Sequence, residues 1–190
     1  MKLSLGPSTL LYPTPVLIVG TYDKQGKPNM MTAAWGGICC SKPPCVAVSL
    51  REATYSYGNI KQHKAFTINI PSEDQIQEAD FVGITSGRNI NKFDTLGLTP
   101  IPSELVYAPI IEEFPFVLEC KVTHITEIGL HTQFIGEILD AKVERAMTGE
   151  NNTPDPLKLK PIYFDPGTRG YYSTGKRLGD AFGIGKTLTK

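Results

Sequence analysis

Residues 16–50 read V-L-I-V-G-T-Y-D-K-Q-G-K-P-N-M-M-T-A-A-W-G-G-I-C-C-S-K-P-P-C-V-A-V-S-L, and this stretch decides the fold class. Val16 to Val19 is a short β-branched run of the kind that forms strands. Asp23 to Pro28 is polar and turn-forming. Asn29 to Cys40 carries no charge and is rich in small residues at Ala33, Ala34, Gly36 and Gly37. Ser41-Lys42-Pro43-Pro44 turns the chain again, and Cys45 to Leu50 reads as a strand that is apolar on both faces. Three strands with tight polar connections predict a meander.

Working outward, the pattern stays mostly β with a helical excursion. Thr54 can cap a helix over Tyr55 to His63. Ala65 to Ile70 alternates as a strand. Ser72 and Gln75 have capping-box spacing and open a helix that carries Ile76, Ala79, Phe81 and Val82 and ends near Gly83. A short helix over Lys92 to Leu96 follows. The proline-rich stretch from Gly97 to Glu113 reads as a loop over the sheet. Phe116, Leu118, Cys120 and Val122 alternate with Glu119 and Lys121, which predicts a strand with one buried face. Thr132 to Val143 is its antiparallel partner across Glu127 to Leu130. Asn151 to Lys160 reads as a polar linker, and Pro161 to Phe164 and Gly170 to Ser173 as two short terminal strands. The expected fold is mainly β: an antiparallel barrel with a few short α-helices. Helices do not alternate regularly with strands and no G-x-G-x-x-G occurs, which excludes a Rossmann fold. Gly185-Lys186-Thr187 mimics the end of a phosphate loop, but Asp180 stands where its first glycine belongs.

The chain has 190 residues, 41% hydrophobic and 20% charged, which suits one domain with its own core. We assign that domain to residues 1–182 and a flexible tail to 183–190. With 19 basic and 19 acidic side chains there is no basic excess for nucleic acid. Eighteen Gly and 15 Pro favour a turn-rich β structure over a helix bundle. Cys39, Cys40, Cys45 and Cys120 lack paired zinc spacing and read as free thiols in a reducing compartment, with a labile redox pair as the alternative. Residues 3–22 are uncharged, but Pro7, Pro13, Pro15, Gly6 and Gly20 interrupt them, so no membrane segment is expected and the protein is placed in the cytoplasm.

Three segments could carry chemistry. Small residues in Asn29 to Trp35 would let a flat ligand approach the strand's backbone amides; a tightly packed strand crossing explains them equally, and Trp35 suits either a core or a pocket wall. Arg51 to Ser56 sits where a strand runs into a helix, a place for an anion, although simple capping by Thr54 beside a solvated Arg51 gives the same pattern. Ser86 to Asp94 holds two cations and alone reads as a solvated loop. His63, His124 and His131 are isolated, and no hydrolase constellation is present.

Together, N-M-M-T-A-A-W, the S-K-P-P turn into C-V-A-V-S-L-R, T-Y-S before N-I, A-F-T-I-N-I-P and S-G-R-N-I-N-K-F-D resemble the flavin reductase-like family, whose fold is an FMN-binding split barrel. The resemblance runs from about Pro13 to Tyr172. It implies FMN as cofactor. Asn29, Met30, Met31, Thr32, Ala33, Ala34 and Trp35 would line the flavin ring, largely through backbone amides. Ser49, Leu50 and Arg51 would border the ribityl chain and phosphate. Thr54, Tyr55 and Ser56 would hold the phosphate, Ser86, Gly87 and Lys92 would close that side, and His131 and Phe164 would approach the ring. No catalytic side chain and no metal is implied. The resemblance also implies a homodimer that carries electrons, fed by a redox protein or NAD(P)H. The alternatives are an NAD(P)H:flavin oxidoreductase that supplies reduced flavin to a monooxygenase, and a non-enzymatic flavin sensor or interaction module.

Overall fold

The computed structural model describes residues 1–188. In chain order the elements are β1 (Thr14–Pro15), β2 (Leu17–Tyr22), β3 (Pro28–Ala33), β4 (Gly36–Ser41), β5 (Pro44–Arg51), α1 (Tyr55–His63), β6 (Ala65–Ile70), α2 (Ile76–Ile84) and α3 (Lys92–Leu96). They continue with β7 (Pro100–Pro102), β8 (Pro109–Ile111), β9 (Phe116–Ile128), β10 (His131–Val143), α4 (Pro156–Leu159), β11 (Ile162–Asp165) and β12 (Gly170–Ser173). Seven strands form one antiparallel sheet in the order β3-β2-β6-β9-β10-β5-β4. A separate sheet orders β1-β11-β12, and β7 pairs with β8.

The large sheet curls around its own core. Leu17 and Val19 of β2, Val46 and Val48 of β5, Phe66 of β6, Phe134 of β10 and Tyr57 and Ile60 of α1 meet inside it. The opposite face of β2 is also covered. Val16, Ile18 and Met30 pack with Ala79 and Val82 of α2, Phe93 of α3 and Ile162 of β11. A strand buried on both faces reads as a continuous apolar run rather than an alternating one, which explains V-L-I-V.

The antiparallel, mainly β architecture agrees with the sequence reading, but its connectivity differs. The expected meander does not form. Asn29 to Cys40 is two strands broken at Ala34 and Trp35, and the hairpins β2–β3 and β4–β5 lie at opposite ends of the sheet. Small apolar residues carry no turn signal, so the break was invisible in the pattern. At the break, the Trp35 carbonyl accepts the Ser49 amide at 2.8 Å, which starts the β4–β5 ladder.

On the polar face of strand β9, Lys121 is exposed but Glu119 is not. Glu119 is fully buried, pairs with the Lys142 ammonium and accepts the Ser103 hydroxyl. The cover comes from the segment read as a loop, which folds into the β7–β8 hairpin. The expected linker contains α4, capped by the Asp155 carboxylate, which accepts the Leu157 amide at 2.9 Å. The capping box at Ser72 and Gln75 is present and leads through a short 3₁₀ turn into α2. Residues 184–188 make a 3₁₀ turn; Thr189 and Lys190, the end of the expected tail, lie outside the described residues.

Candidate functional site

Two adjoining clefts open beside the outer edge of β3. They meet at Gly83 and Ile84, at the end of α2. The first, of about 290 Å³, is the more polar of the two and is walled by β3, the start of α1, the end of α2 and α3. The second, of about 440 Å³, is walled by Thr32, Ala34, Trp35, Phe164 and Tyr171.

The polar cleft gathers unspent donors. Helix α1 begins with no acidic residue in its first turn and no side-chain cap. Thr54 takes the expected N-cap position with extended backbone, but its hydroxyl donates to the Arg51 carbonyl at 2.9 Å, so the expected cap bond is absent. The first-turn amides therefore receive nothing from Thr54, and they carry the positive end of the helix dipole. Lys92 enters from α3. It is only 3% exposed, and its ammonium donates to the carbonyls of Met30 at 2.8 Å and Val82 at 2.7 Å. Among the described residues no carboxylate pairs with it. An ammonium has three donors, so one remains. Burial pushes its pKa down to about 8.

The walls are held from behind. Asn29 donates to the buried Ser56 hydroxyl at 2.9 Å and thereby ties β3 to α1. The Tyr55 phenol donates to Asp23 at 2.8 Å, and Asp23 also accepts the amides of Gln25 at 2.8 Å and Lys27 at 2.9 Å. Burial opposes charge on Asp23, but those three hydrogen bonds outweigh it and hold the carboxyl below its usual range. Burial, then Asp23, pushes the Tyr55 phenol up. The Arg88 guanidinium lies 5.4 Å from the Tyr55 ring centre and donates to the Ala53 carbonyl at 2.8 Å. Gly87 is required where it stands: a Cβ there would overlap the Asn29 side chain and crowd the Tyr55 ring.

The apolar cleft exposes a backbone edge. β3 is an edge strand, so alternate residues turn their N–H and C=O away from β2. The Met30 carbonyl, taken by Lys92, fixes the phase: Met30 and Thr32 face outward. Phe164 and Tyr171 pack 5.7 Å apart across the cleft from Trp35's strand junction, and the Tyr171 phenol donates to Asp80 at 3.0 Å. Burial, then Asp80, pushes the Tyr171 phenol up to about 12.

Asn29, Met31, Arg51, Thr54, Tyr55, Ser56, Ser86, Gly87 and Lys92 thus come together at the polar cleft, and Thr32, Ala34, Trp35 and Phe164 at the apolar one. Five expected residues do not line either cleft. Strand alternation turns the side chains of Ala33 and Leu50 into the barrel and that of Met30 into the outer core. The Ser49 amide is spent on Trp35. His131 sits opposite Arg51 at the start of β10. Sequence reasoning missed Asp23 and Arg88. Asp23 had a usable signal, because an Asp that opens a D-K-Q-G turn commonly accepts the amides that follow it. Arg88 lay inside the S-G-R-N stretch, but its contact with Tyr55 spans two distant elements.

A curled antiparallel barrel, with a cleft at the open edge of its first hairpin, is the split-barrel architecture. The chain belongs to the flavin reductase-like family, whose domain model matches residues 9–171. Among solved structures it is similar to flavoredoxin of Desulfovibrio vulgaris (Miyazaki F), 52% identical over 97% of this chain and 100% of that one, with a TM-score of 0.94. It is also similar to flavoredoxin from Methanosarcina acetivorans, 28% identical over the full length of both chains, with a TM-score of 0.93. A protein of Archaeoglobus fulgidus is 35% identical over 68% of this chain and 72% of its own.

Proposed function

We propose that this chain is a flavoredoxin-like electron carrier that holds FMN with its phosphate in the polar cleft and its ring in the apolar one. The observation that carries the reading is Lys92: a buried ammonium without a carboxylate, one donor unspent, beside an uncapped helix start. Burying a lone charge is unfavourable unless an opposite charge completes it, and a phosphate dianion does so. The outward amides of β3 suit the hydrogen-bonding edge of a flat ring, and Trp35 and Phe164 suit its faces. When bound, FMN supplies the electron chemistry, and the protein's part is to hold, orient and electrostatically tune it. The α1 amides and Lys92 hold the phosphate, Asn29 and Asp23 fix the wall made by Ser56 and Tyr55, and Trp35 and Phe164 shape the ring's cleft.

We further propose a cytoplasmic homodimer that takes electrons from a redox protein. Four free thiols support the reducing compartment. Exposed Leu3, Leu5, Leu11 and Ile38 support a partner that covers them. The roominess of the apolar cleft favours one rival, direct reduction by a nicotinamide nucleotide. The visible spectrum of protein reconstituted with FMN tests both readings. A carrier takes up one yellow flavin per chain and keeps its colour when NADH or NADPH is added alone. Rapid bleaching by either nucleotide makes the protein an oxidoreductase, and failure to take up FMN overturns the flavin assignment.

A further inference from the structure

The cysteines are not idle in the geometry. Cys40 and Cys45 stand directly opposite each other on the β4–β5 hairpin, one pair in from Ser41 and Pro44. Directly opposed residues on antiparallel strands have Cα atoms about 4.5 to 5.5 Å apart, inside the roughly 4.4 to 6.8 Å that a disulfide spans. Their side chains share one face of the sheet. The ladder shifts between Ile38 and Cys40, which leaves Cys39 without an opposite residue. Cys40 is exposed on the edge strand and Cys45 is buried beneath it. Neither lines the two clefts.

We propose that Cys40 and Cys45 are a reversible disulfide-forming pair, with Cys40 the attacking thiol and Cys45 the resolving one. The exposed Cys40 thiolate attacks one sulfur of a low-molecular-weight disulfide such as glutathione disulfide and expels one glutathione thiolate. The product is a mixed disulfide on Cys40. Cys45 then gives its proton to water and attacks the Cys40 sulfur, which releases the second glutathione. Two protein thiols are oxidised to one disulfide, and one glutathione disulfide is reduced to two thiols. The order of attack follows from access and acidity. Burial, then the neighbouring Cys40 and Cys39, pushes the Cys45 thiol up, which together with its burial leaves the exposed Cys40 to attack first. Cys120, fully buried in the core and pushed up to about 12 by burial, stays out of the exchange. The crosslink would clamp the tip of an edge strand whose other end leads into Trp35.

The test treats the full-length, FMN-loaded protein with glutathione disulfide, unfolds it in acid, blocks free thiols and measures the intact mass. The expected product lacks two hydrogens and takes up two blocking groups fewer than the untreated chain. Cys39→Ser should behave like the parent, Cys40→Ser should neither crosslink nor form an adduct that resolves, and Cys45→Ala should trap one glutathione on Cys40. Cys39 and Cys40 are exposed, so those two variants do not threaten folding. The proposal is overturned if the parent keeps all four thiols, if Cys39→Ser abolishes the crosslink, or if oxidation yields only crosslinked dimers.

Discussion

Replacing Lys92 by Met removes the proposed phosphate contact together with the hydrogen bonds to the Met30 and Val82 carbonyls, and a ligand without a phosphate separates the two effects. In the flavin-free protein burial holds the Lys92 pKa at about 8 against an ordinary 10.5, which corresponds to roughly 3 kcal/mol against carrying the charge in the fold. The folded value lies below the unfolded one. Between about pH 8 and 10.5 the unfolded chain therefore binds more protons, and the flavin-free protein gains stability from this group as pH rises through that window. Phosphate binding favours the charged form and works against this. The FMN phosphate is a dianion well above its second pKa of about 6, so FMN affinity should be flat between about pH 7 and 8 and fall by up to about tenfold per unit above that. A hydrogen bond to a charged partner contributes about 1.5 to 3 kcal/mol, so Lys92→Met should weaken FMN by roughly tenfold to a hundredfold near neutral pH and abolish the slope. Riboflavin has the same ring without the phosphate. Its affinity should change little in the variant and should show no step near pH 8 in the parent. Flavin fluorescence titrations from about pH 7 to 10 measure all four curves, with a melting curve to confirm that the variant folds. Parallel pH profiles for FMN and riboflavin, or a folded Lys92→Met protein that binds FMN as tightly as the parent, would refute the reasoning.

Gly87→Ala should lower the melting temperature and weaken FMN together, at a cost of about 1 to 3 kcal/mol, because its methyl group must displace the Asn29 amide or the Tyr55 ring; thermal melts with and without FMN measure both. Trp35→Ala removes a wall of the apolar cleft and should weaken FMN and riboflavin by equal factors in the same titration, whereas unequal factors would move Trp35 to the phosphate end. Lys142→Met leaves the fully buried Glu119 with Ser103 as its remaining partner and should cost about 1 to 3 kcal/mol, discounted for the half-exposed lysine, in a urea unfolding midpoint; Glu119→Gln should cost less. Light scattering should give twice the 20.8 kDa chain mass, and melting should rise with protein concentration, as mass action requires of a dimer.

The legible parts of this fold were those governed by local physics. The Ser72–Gln75 capping box, the turn at Asp23 to Pro28, the α1 boundaries and the pairing of β9 with β10 each follow from residues within a few positions of one another. What stayed hidden depended on cover supplied from far away. Glu119 looks solvated in its own strand and is buried because β7–β8 folds over it. Nothing in A-A-W says that the sheet parts there, since the separation of β3 from β4 is set by the strands that insert between them. The same division holds at the site. The α1 start and the small residues of β3 were singled out by their sequence, and both line the clefts. The burial of Lys92, fixed by carbonyls on β3 and α2, required the tertiary fold, and so did the displacement of Met30, Ala33, Leu50 and His131 from the clefts.

The two outermost strands of the sheet, β3 and β4, are consecutive in sequence and joined only through Ala34 and Trp35. An outermost strand is a standing invitation to recruit foreign backbone, and it is also where a domain first comes apart under thermal fluctuation. Here the cleft proposed for the flavin lies along that vulnerable border. A molecule seated along β3 would act as a surrogate neighbouring strand, slowing solvent exchange at the Thr32 amide and shielding the border from proteases and from other chains. Cofactor supply would then set the lifetime of the protein in the cell as well as its activity, with chains made during flavin shortage cleared first.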